Sequence, residues 1–353
     1  MPKKKVLIFL QGGVGGAERM SVLIGKSLDT EVFEVKFCAI DRNGGVAICD
    51  FIPAGYHVEK IPTASPIRMM LQLFRCIRKE KPYAVFSSVM YLNTKILPFR
   101  LFFPETRFVV RCENYLYTFS KKQRVFIGLT YFLADTIIAQ TKEMADELYR
   151  LKHIGKDKVV VIQNPVDAEL IDRDVADCEN PYPGNGYKHF VASGRFAYQK
   201  GFDLLFEAFT LLTKNGLKAD LYIVGDSQYN GGKIYQQLMQ RAAECGLADR
   251  LHCVGYQKKP YPYIRYADCF VLSSRWEGLP NVLIEALYLG TPVAAFRCIP
   301  VIERIVDEGK TGFLAEKENV EQLADAMTNA LGLGRIESKY RVAVQVDFVR
   351  IFL

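Results

Sequence analysis

A chain of 353 residues, half of them apolar, is long enough for two domains with cores of their own. No apolar run approaches the roughly 18 to 20 residues of a spanning helix, and Val6 to Leu10, behind Lys3-Lys4-Lys5, is too short for a signal peptide. The net charge of +7 is unevenly spread: residues 1–165 hold 25 Lys and Arg against 15 Asp and Glu, with nearly all the excess between Lys60 and Arg124, so the first half meets something anionic.

Val6 to Leu10 reads as a first strand. Gln11-Gly12-Gly13-Val14-Gly15-Gly16 is a flexible turn into a helix over Ala17 to Leu28. A dinucleotide fingerprint starting at Gly13 fails, because Glu18 stands where the third glycine belongs. Glycine-rich backbone at a strand end still approaches a ligand closely and presents N–H groups to it. Phe33 to Ile40, Val58 to Ile61, Ala84 to Val89, Arg107 to Arg111 and Thr136 to Ala139 are short apolar runs alternating with helical stretches, the pattern of a parallel α/β sheet. Two of those helices, 67–77 and 115–133, mix aromatic and aliphatic bulk with cations, and 95–103 between them does the same. Such segments suit an anionic membrane surface, placed here at residues 60–133. The plainer alternative makes the apolar residues core and the cations a solvated face.

Val109 to Tyr115 ends a strand near the centre of this domain, at an expected topological switch point, and offers Glu113 and Asn114 as polar groups. Val159 to Asp167 closes the first domain, taken as 1–165. The turn-rich stretch 166–187 reads as a linker, and its Asp172-Arg173-Asp174 does not follow a sheet strand as a metal-holding D-x-D does. The second domain, 188–353, opens with a strand ending at Gly194, after which Arg195 and Lys200 precede a helix. A planar fork and a compact ammonium five residues apart suit a diphosphate. Leu221 to Asp226 and Leu251 to Gly255 continue the sheet. The run Cys269 to Ser273 then feeds the turn Arg275-Trp276-Glu277-Gly278-Leu279-Pro280-Asn281, which opens a helix over Val282 to Leu289. Pro280 fits the first helical turn, and the amides of Gly278, Leu279 and Asn281 are expected to face an anion or hydroxyl beyond the strand end. Glu277 and Glu285, eight residues apart, are expected to flank one ligand position. The nine cysteines show neither a CxxC pair nor zinc spacing and read as reduced core thiols.

The E-x7-E of Glu277 and Glu285 within E-G-L-P-N-V-L-I-E-A, together with G-R-x4-K-G at Gly194 to Gly201, resembles the retaining family 4 glycosyltransferases (glycosyl transferases group 1), which share the GT-B fold: α/β, two Rossmann-like domains facing across a cleft. The resemblance spans nearly all of residues 4 to 335. It implies sugar transfer from a nucleotide-sugar donor with retention at the anomeric carbon, without a metal or other cofactor. By that resemblance Arg195 and Lys200 hold the leaving diphosphate and Glu285 the ribose hydroxyls, while Glu277 positions the donor sugar. Gly194, Asp226, Gly278, Leu279, Pro280 and Asn281 complete the donor site. Gly15 and Gly16, in a G-G-A-E like the family's, approach donor phosphate and acceptor.

This chain departs from the pattern in four places, the first being Asp226, which stands in place of the second glycine of the family's V-G-x-G. Its histidines, His57, His153, His189 and His252, leave none where the family binds the transferred sugar, so Glu113 or Asn114 is the expected substitute. Arg297-Cys298-Ile299-Pro300 is bulkier than the family's small-residue loop. The final helix that relatives send back to the first domain reads as shortened or absent. The expected protein is a cytoplasmic transferase at the inner membrane face, using a UDP-linked hexose or N-acetylhexosamine to build a surface glycan such as lipopolysaccharide or capsule. Its acceptor would be a lipid-linked saccharide. A non-catalytic nucleotide-sugar-binding partner subunit and a nucleotide-sugar epimerase are the alternatives, and nucleic acid is not an expected partner.

Overall fold

Apolar runs of four to nine residues separated by amphipathic segments become strands and crossover helices. The computed structural model describes residues 2–41, 47–63, 65–337, 340 and 348–353. In the first unit, strands β1 (Lys4–Gln11), β2 (Phe33–Asp41), β3 (His57–Pro62), β4 (Ala84–Ser87), β5 (Arg107–Cys112), β6 (Thr136–Ala139) and β7 (Val159–Val161) form one parallel sheet in the order 3-2-1-4-5-6-7. Helices α1 (Gly16–Ser27), α2 (Pro66–Glu80), α3 (Met90–Ile96), α4 (Lys121–Thr130) and α5 (Lys142–Tyr149) connect them. The second unit begins with α6 (Ala168–Val175). Its parallel sheet holds β8 (Lys188–Ser193), β9 (Ala219–Val224), β10 (Leu251–Gly255), β11 (Cys269–Leu272), β12 (Val293–Phe296) and β13 (Gly312–Ala315) in the order 10-9-8-11-12-13. Its other helices are α7 (Phe202–Lys214), α8 (Lys233–Glu244), α9 (Tyr261–Tyr266), α10 (Asn281–Tyr288), α11 (Ile302–Ile305) and α12 (Val320–Leu331).

Both sheets reverse their strand order beside the first strand, between β1 and β4 and between β8 and β11. Connections leave in opposite directions there and open a crevice beyond the strands' C-terminal ends, where ligands of doubly wound sheets bind. The loops so placed are Gln11 to Gly15 and Ser88-Val89 in the first unit, and Gly194 to Gly201 and Ser273 to Pro280 in the second. Glu113 follows β5, one strand beyond the reversal. The switch point expected at 109–115 is therefore displaced to β1 and β4.

Three boundaries differ from those the sequence suggests. The stretch 115–133 is not one helix, because Ser120 starts α4 afresh with a reciprocal cap: its hydroxyl accepts from the Gln123 amide and the Gln123 side chain accepts from the Ser120 amide. The presumed linker 166–187 carries α6, capped by Asp167, whose side chain accepts from the Leu170 amide. The last correction concerns the end of the second domain. Described residues up to Asn164 form one unit together with 348–353, and the other unit begins at Pro165.

The chain end joins the first unit because its apolar residues finish that core. Helix α13 (Val349–Phe352) buries Ile351 and Phe352, and the Phe352 ring centroid lies 6.3 Å from that of Phe33 and 5.9 Å from that of Phe86. Tyr83 and Arg107 both donate to the Leu353 carbonyl at 3.2 Å. The returning helix, expected to be shortened or absent, is short but present. Phe352→Ala is expected to cost the first unit about 3–5 kcal/mol, as for other buried aromatics. Urea unfolding checks this, and an unmoved midpoint would show that the segment is dispensable.

Candidate active site

In the second unit the two loops at the reversal are pressed together. A Cβ on Gly201, at φ +61°, would lie 2.1 Å from the Ser273 carbonyl oxygen, and one on Gly225 would lie 1.8 Å from the Gly194 carbonyl oxygen. Only glycine permits such approach. The Ser273 hydroxyl donates to the Lys200 carbonyl at 2.9 Å, and the Arg275 amide to the Gln199 carbonyl at 2.8 Å. The Gln199 side chain donates to the Trp276 carbonyl at 2.9 Å.

Those bonds deliver Lys200 to Glu277. The Lys200 Nζ lies 2.7 Å from Glu277 Oε1, which also accepts from the Ser274 hydroxyl at 2.6 Å. Both side chains are largely buried, at 16% and 9% exposure, so solvent screens the pair little. Arg275 holds the turn from behind. Its guanidinium grips Asp203 at 2.9 and 2.6 Å, donates to the Tyr198 carbonyl at 2.8 Å and lies 3.9 Å from the centre of the Tyr198 ring. Burial alone would raise the Asp203 carboxyl, but the hydrogen bonds and charge of Arg275 outweigh it and hold the group below its usual range.

The other expected donor residues lie around this pair with separate partners. Arg195 is exposed, with its guanidinium 4.9 Å from the centre of the Tyr229 ring. Asp226 accepts from the Gln228 amide at 2.9 Å and so shapes its own turn. The Tyr261 hydroxyl donates to Glu285 at 3.4 Å. Pro280 stands one residue before α10, at φ −77° and ψ 81°, and the Asn281 amide bonds the Leu279 carbonyl at 2.9 Å. Asn281 thus drops out of the expected row of amide donors. Gly278 and Leu279 remain, and among the described residues neither amide has a protein acceptor.

In the first unit, Gly15 caps α1 and Gly16 begins it. Glu18 folds back over them, so a Cβ on Gly15 would meet its carboxylate at 2.6 Å. Beyond β5 lies a buried polar set. Glu113 Oε1 accepts from the Met90 amide at 2.9 Å, while Oε2 is closed off from solvent without a partner. Burial pushes its carboxyl up to about 7, against the opposing pull of the Met90 amide and Arg111. Arg111, itself lowered to about 10 by burial, donates to Asn164 at 2.7 Å, and Asn164 donates to Gln140 at 3.0 Å. Asn114 offers its carbonyl to the Cys112 thiol at 3.1 Å.

Residues 181–342, nearly all of the second unit, match the family model described as Glycosyl transferases group 1. That stretch is similar to the glycosyl transferases group 1. An uncharacterised glycosyltransferase of Haemophilus influenzae is 25% identical over 92% of this chain and 89% of its own length. A Campylobacter jejuni enzyme, N-acetylgalactosamine-N,N'-diacetylbacillosaminyl-diphospho-undecaprenol 4-alpha-N-acetylgalactosaminyltransferase, is 24% identical over 96% of this chain and 93% of its own. The crystal structure of Anabaena HepE in complex with UDP-glucose superposes with a TM-score of 0.80 at 17% identity, covering 99% of this chain and 98% of that one. The fold is α/β of the GT-B class, built from two parallel sheets with helices.

Around this site the sequence reading missed Asp203, Ser274 and Gln199, and quoted Arg275 without a role. Their only signal was proximity to the two motifs. The bulky loop after β12 is anchored: Arg297 pairs with Glu303, Glu308 and Glu316 at 3.1, 2.8 and 3.5 Å, while Cys298 and Ile299 are buried. Asp172 and Asp174 lie two apart on α6 and point different ways, Asp172 accepting from Tyr288 at 2.8 Å. A cavity of about 760 Å³ between α7 and α12, lined by Glu207, Lys214, Arg241 and Glu318, includes none of the expected donor residues.

The raised Glu113 carboxyl has a signed consequence for stability. Between its unfolded value near 4.5 and about 7 the native state binds more protons than the unfolded state, so stability falls as pH rises through that window. Glu113→Gln should flatten this fall, by up to about 3 kcal/mol between pH 5 and 8. Denaturant titrations across that range check it, and parallel profiles for variant and wild type would contradict it.

Proposed function

We propose that the protein is a metal-independent, retaining hexosyl- or N-acetylhexosaminyl-transferase that takes its sugar from a UDP-linked donor. The observation that carries this reading is the buried Lys200–Glu277–Ser274 cluster at the switch point, with the amides of Gly278 and Leu279 beside it. Negative charge grows on the departing diphosphate as the glycosidic bond breaks. Lys200, together with the exposed Arg195, offsets it without a metal, and the two amides, without a protein acceptor among the described residues, are available as further donors. One preorganised donor of this kind typically contributes about 3–4 kcal/mol to lowering a barrier. Glu277, already hydrogen-bonded on Oε1, acts as a positioning and electrostatic group that orients donor-sugar hydroxyls, while Glu285 accepts from the ribose. The HepE crystal structure is a complex with UDP-glucose, which supports the base.

The acceptor reading is a lipid-linked saccharide on the way to a surface glycan, in line with the diphospho-undecaprenol in the Campylobacter relative's name. Among the described residues no helix is long and apolar enough to cross a membrane. The first unit nevertheless exposes Ile67 and Leu71 on α2, Leu101 and Phe102 after α3, and Val125, Phe126 and Leu129 on α4. Helix α3 packs against both α2 and α4, and Phe74 of α2 joins Phe99, Phe102 and Phe103 in one aromatic cluster. Exposed Arg68, Arg75, Arg78, Lys121, Lys122 and Arg124 stand among them. Apolar side chains that enter the headgroup layer, ringed by cations, make a peripheral anchor on the anionic inner face.

Thermal unfolding with UDP-, GDP- and ADP-sugars tests the donor. A sugar nucleotide at a hundred times its dissociation constant should stabilise by about 2.7 kcal/mol, and Glu285→Ala should lose that response. Lys200→Ala should retain the fold while turnover drops about 10²- to 10³-fold. Normal turnover in that variant would remove the diphosphate role. Flotation with anionic vesicles tests the anchor: retention at low salt should weaken as salt rises and in Val125→Asp/Leu129→Asp, and unretained wild type would remove the membrane contact.

A further inference from the structure

The edge of the first sheet carries a second cluster, away from the switch point. Strands β2 and β3 pair so that Cys38 stands opposite Glu59, and paired residues of parallel strands project to the same face. Helix α2 brings Cys76 onto that face, with its sulfur 3.9 Å from the Cys38 sulfur. One ligand atom from each of Cys38, Glu59 and Cys76 lies within 4.8 Å of the others, the only such group among the described residues. We propose that Cys38, Cys76 and Glu59 bind a thiophilic divalent cation of the zinc type, which clips α2 to the edge of the sheet.

The spacing fits that ion. Zinc–sulfur bonds of about 2.3 Å at a tetrahedral angle separate two thiolates by about 3.8 Å, close to what this backbone already sets. A Glu59 oxygen supplies the third ligand, and water entering from the partly exposed Glu59 side completes the shell. The sulfurs form the dry floor of the site, since Cys38 is fully buried and Cys76 nearly so.

Its surroundings favour a dication. Lys36 Nζ lies 2.6 Å from Glu59 Oε2 and 3.0 Å from Glu80 Oε1, and Lys5 Nζ lies 2.8 Å from Glu80 Oε2. Lys5 also lies 3.7 Å from Glu34, so two ammoniums face three carboxylates and the two thiols, and a +2 ion meets the negative charge that remains. Lys36 also fixes the Glu59 carboxylate through Oε2, as groups that hold metal ligands in place commonly do. Thiols serving only as core filler need no carboxylate between them. With Cys38 and Cys76 separated by 37 residues, no zinc spacing announces the site, and the expectation that every cysteine is inert packing is revised for this pair.

The test is a cobalt(II) titration of reduced, chelator-treated full-length protein, with cobalt standing in for zinc. The expected result is thiolate-to-cobalt charge-transfer absorption that saturates at one equivalent, is displaced by zinc, and is lost in Cys76→Ser. In Glu59→Gln, changed at a half-exposed position that leaves both thiols in place, affinity should fall about tenfold or more. Zinc should raise the unfolding temperature of wild type more than that of Glu59→Gln, with equal nucleotide-sugar binding in both. Absence of the band in folded wild type overturns the proposal. A band unchanged in both variants does so too, by placing the metal on other thiols such as exposed Cys245, as does a Cys38–Cys76 disulfide forming in place of metal uptake.

Discussion

The second unit depends on how closely its two switch-point loops approach. With Gly201 set against the Ser273 carbonyl, the ammonium of Lys200 can reach Glu277 only inside the turn, where solvent is nearly excluded. Burying two charges is costly, and their attraction recovers that cost only when geometry and further hydrogen bonds are good. Ser274 supplies one such bond to Glu277, and Arg275 braces the turn through Asp203 and Tyr198. A cation held this way needs little rearrangement when negative charge arrives beside it, which is the condition for electrostatic assistance to a leaving group.

The first unit uses its charges differently. Behind its switch point, polar groups are sealed inside: Arg111 ties the sheet to Asn164, the last residue before the second unit, and Glu113 keeps one oxygen without a partner. An unsatisfied buried carboxylate oxygen is costly and persists where something else makes use of it. On its surface the same unit exposes aliphatic and aromatic side chains among cations.

Much of this architecture was legible in order along the chain. Alternating apolar runs and amphipathic stretches marked most of the strands and their crossovers, because burial on both sheet faces demands continuous apolar sequence. Gly194, Arg195, Lys200, Glu277 and Glu285 were visible because glycine turns and charged residues at strand ends have few other uses at that spacing. Less legible were features that depend on partners distant in sequence. Ser120 split an apparent helix through a local cap, while the amide of Asn281 turned inward to Leu279 although Pro280 looked like an ordinary helix start. Arg275 was a lone cation until Asp203 and Tyr198 came to meet it.

The sequence by itself determined the fold class, the two-part organisation and the motif residues that resemble those of the group 1 glycosyltransferases, since hydrophobic period and short motifs are local properties of the chain. Tertiary structure alone decided that Lys200 and Glu277 form one buried pair, that the last residues complete the first core, and that Cys38, Glu59 and Cys76 share one face. Each of those outcomes rests on strand order, on register, or on packing between residues dozens to hundreds of positions apart. Contacts at such separations follow from how the whole chain buries its apolar surface, and no local pattern encodes them.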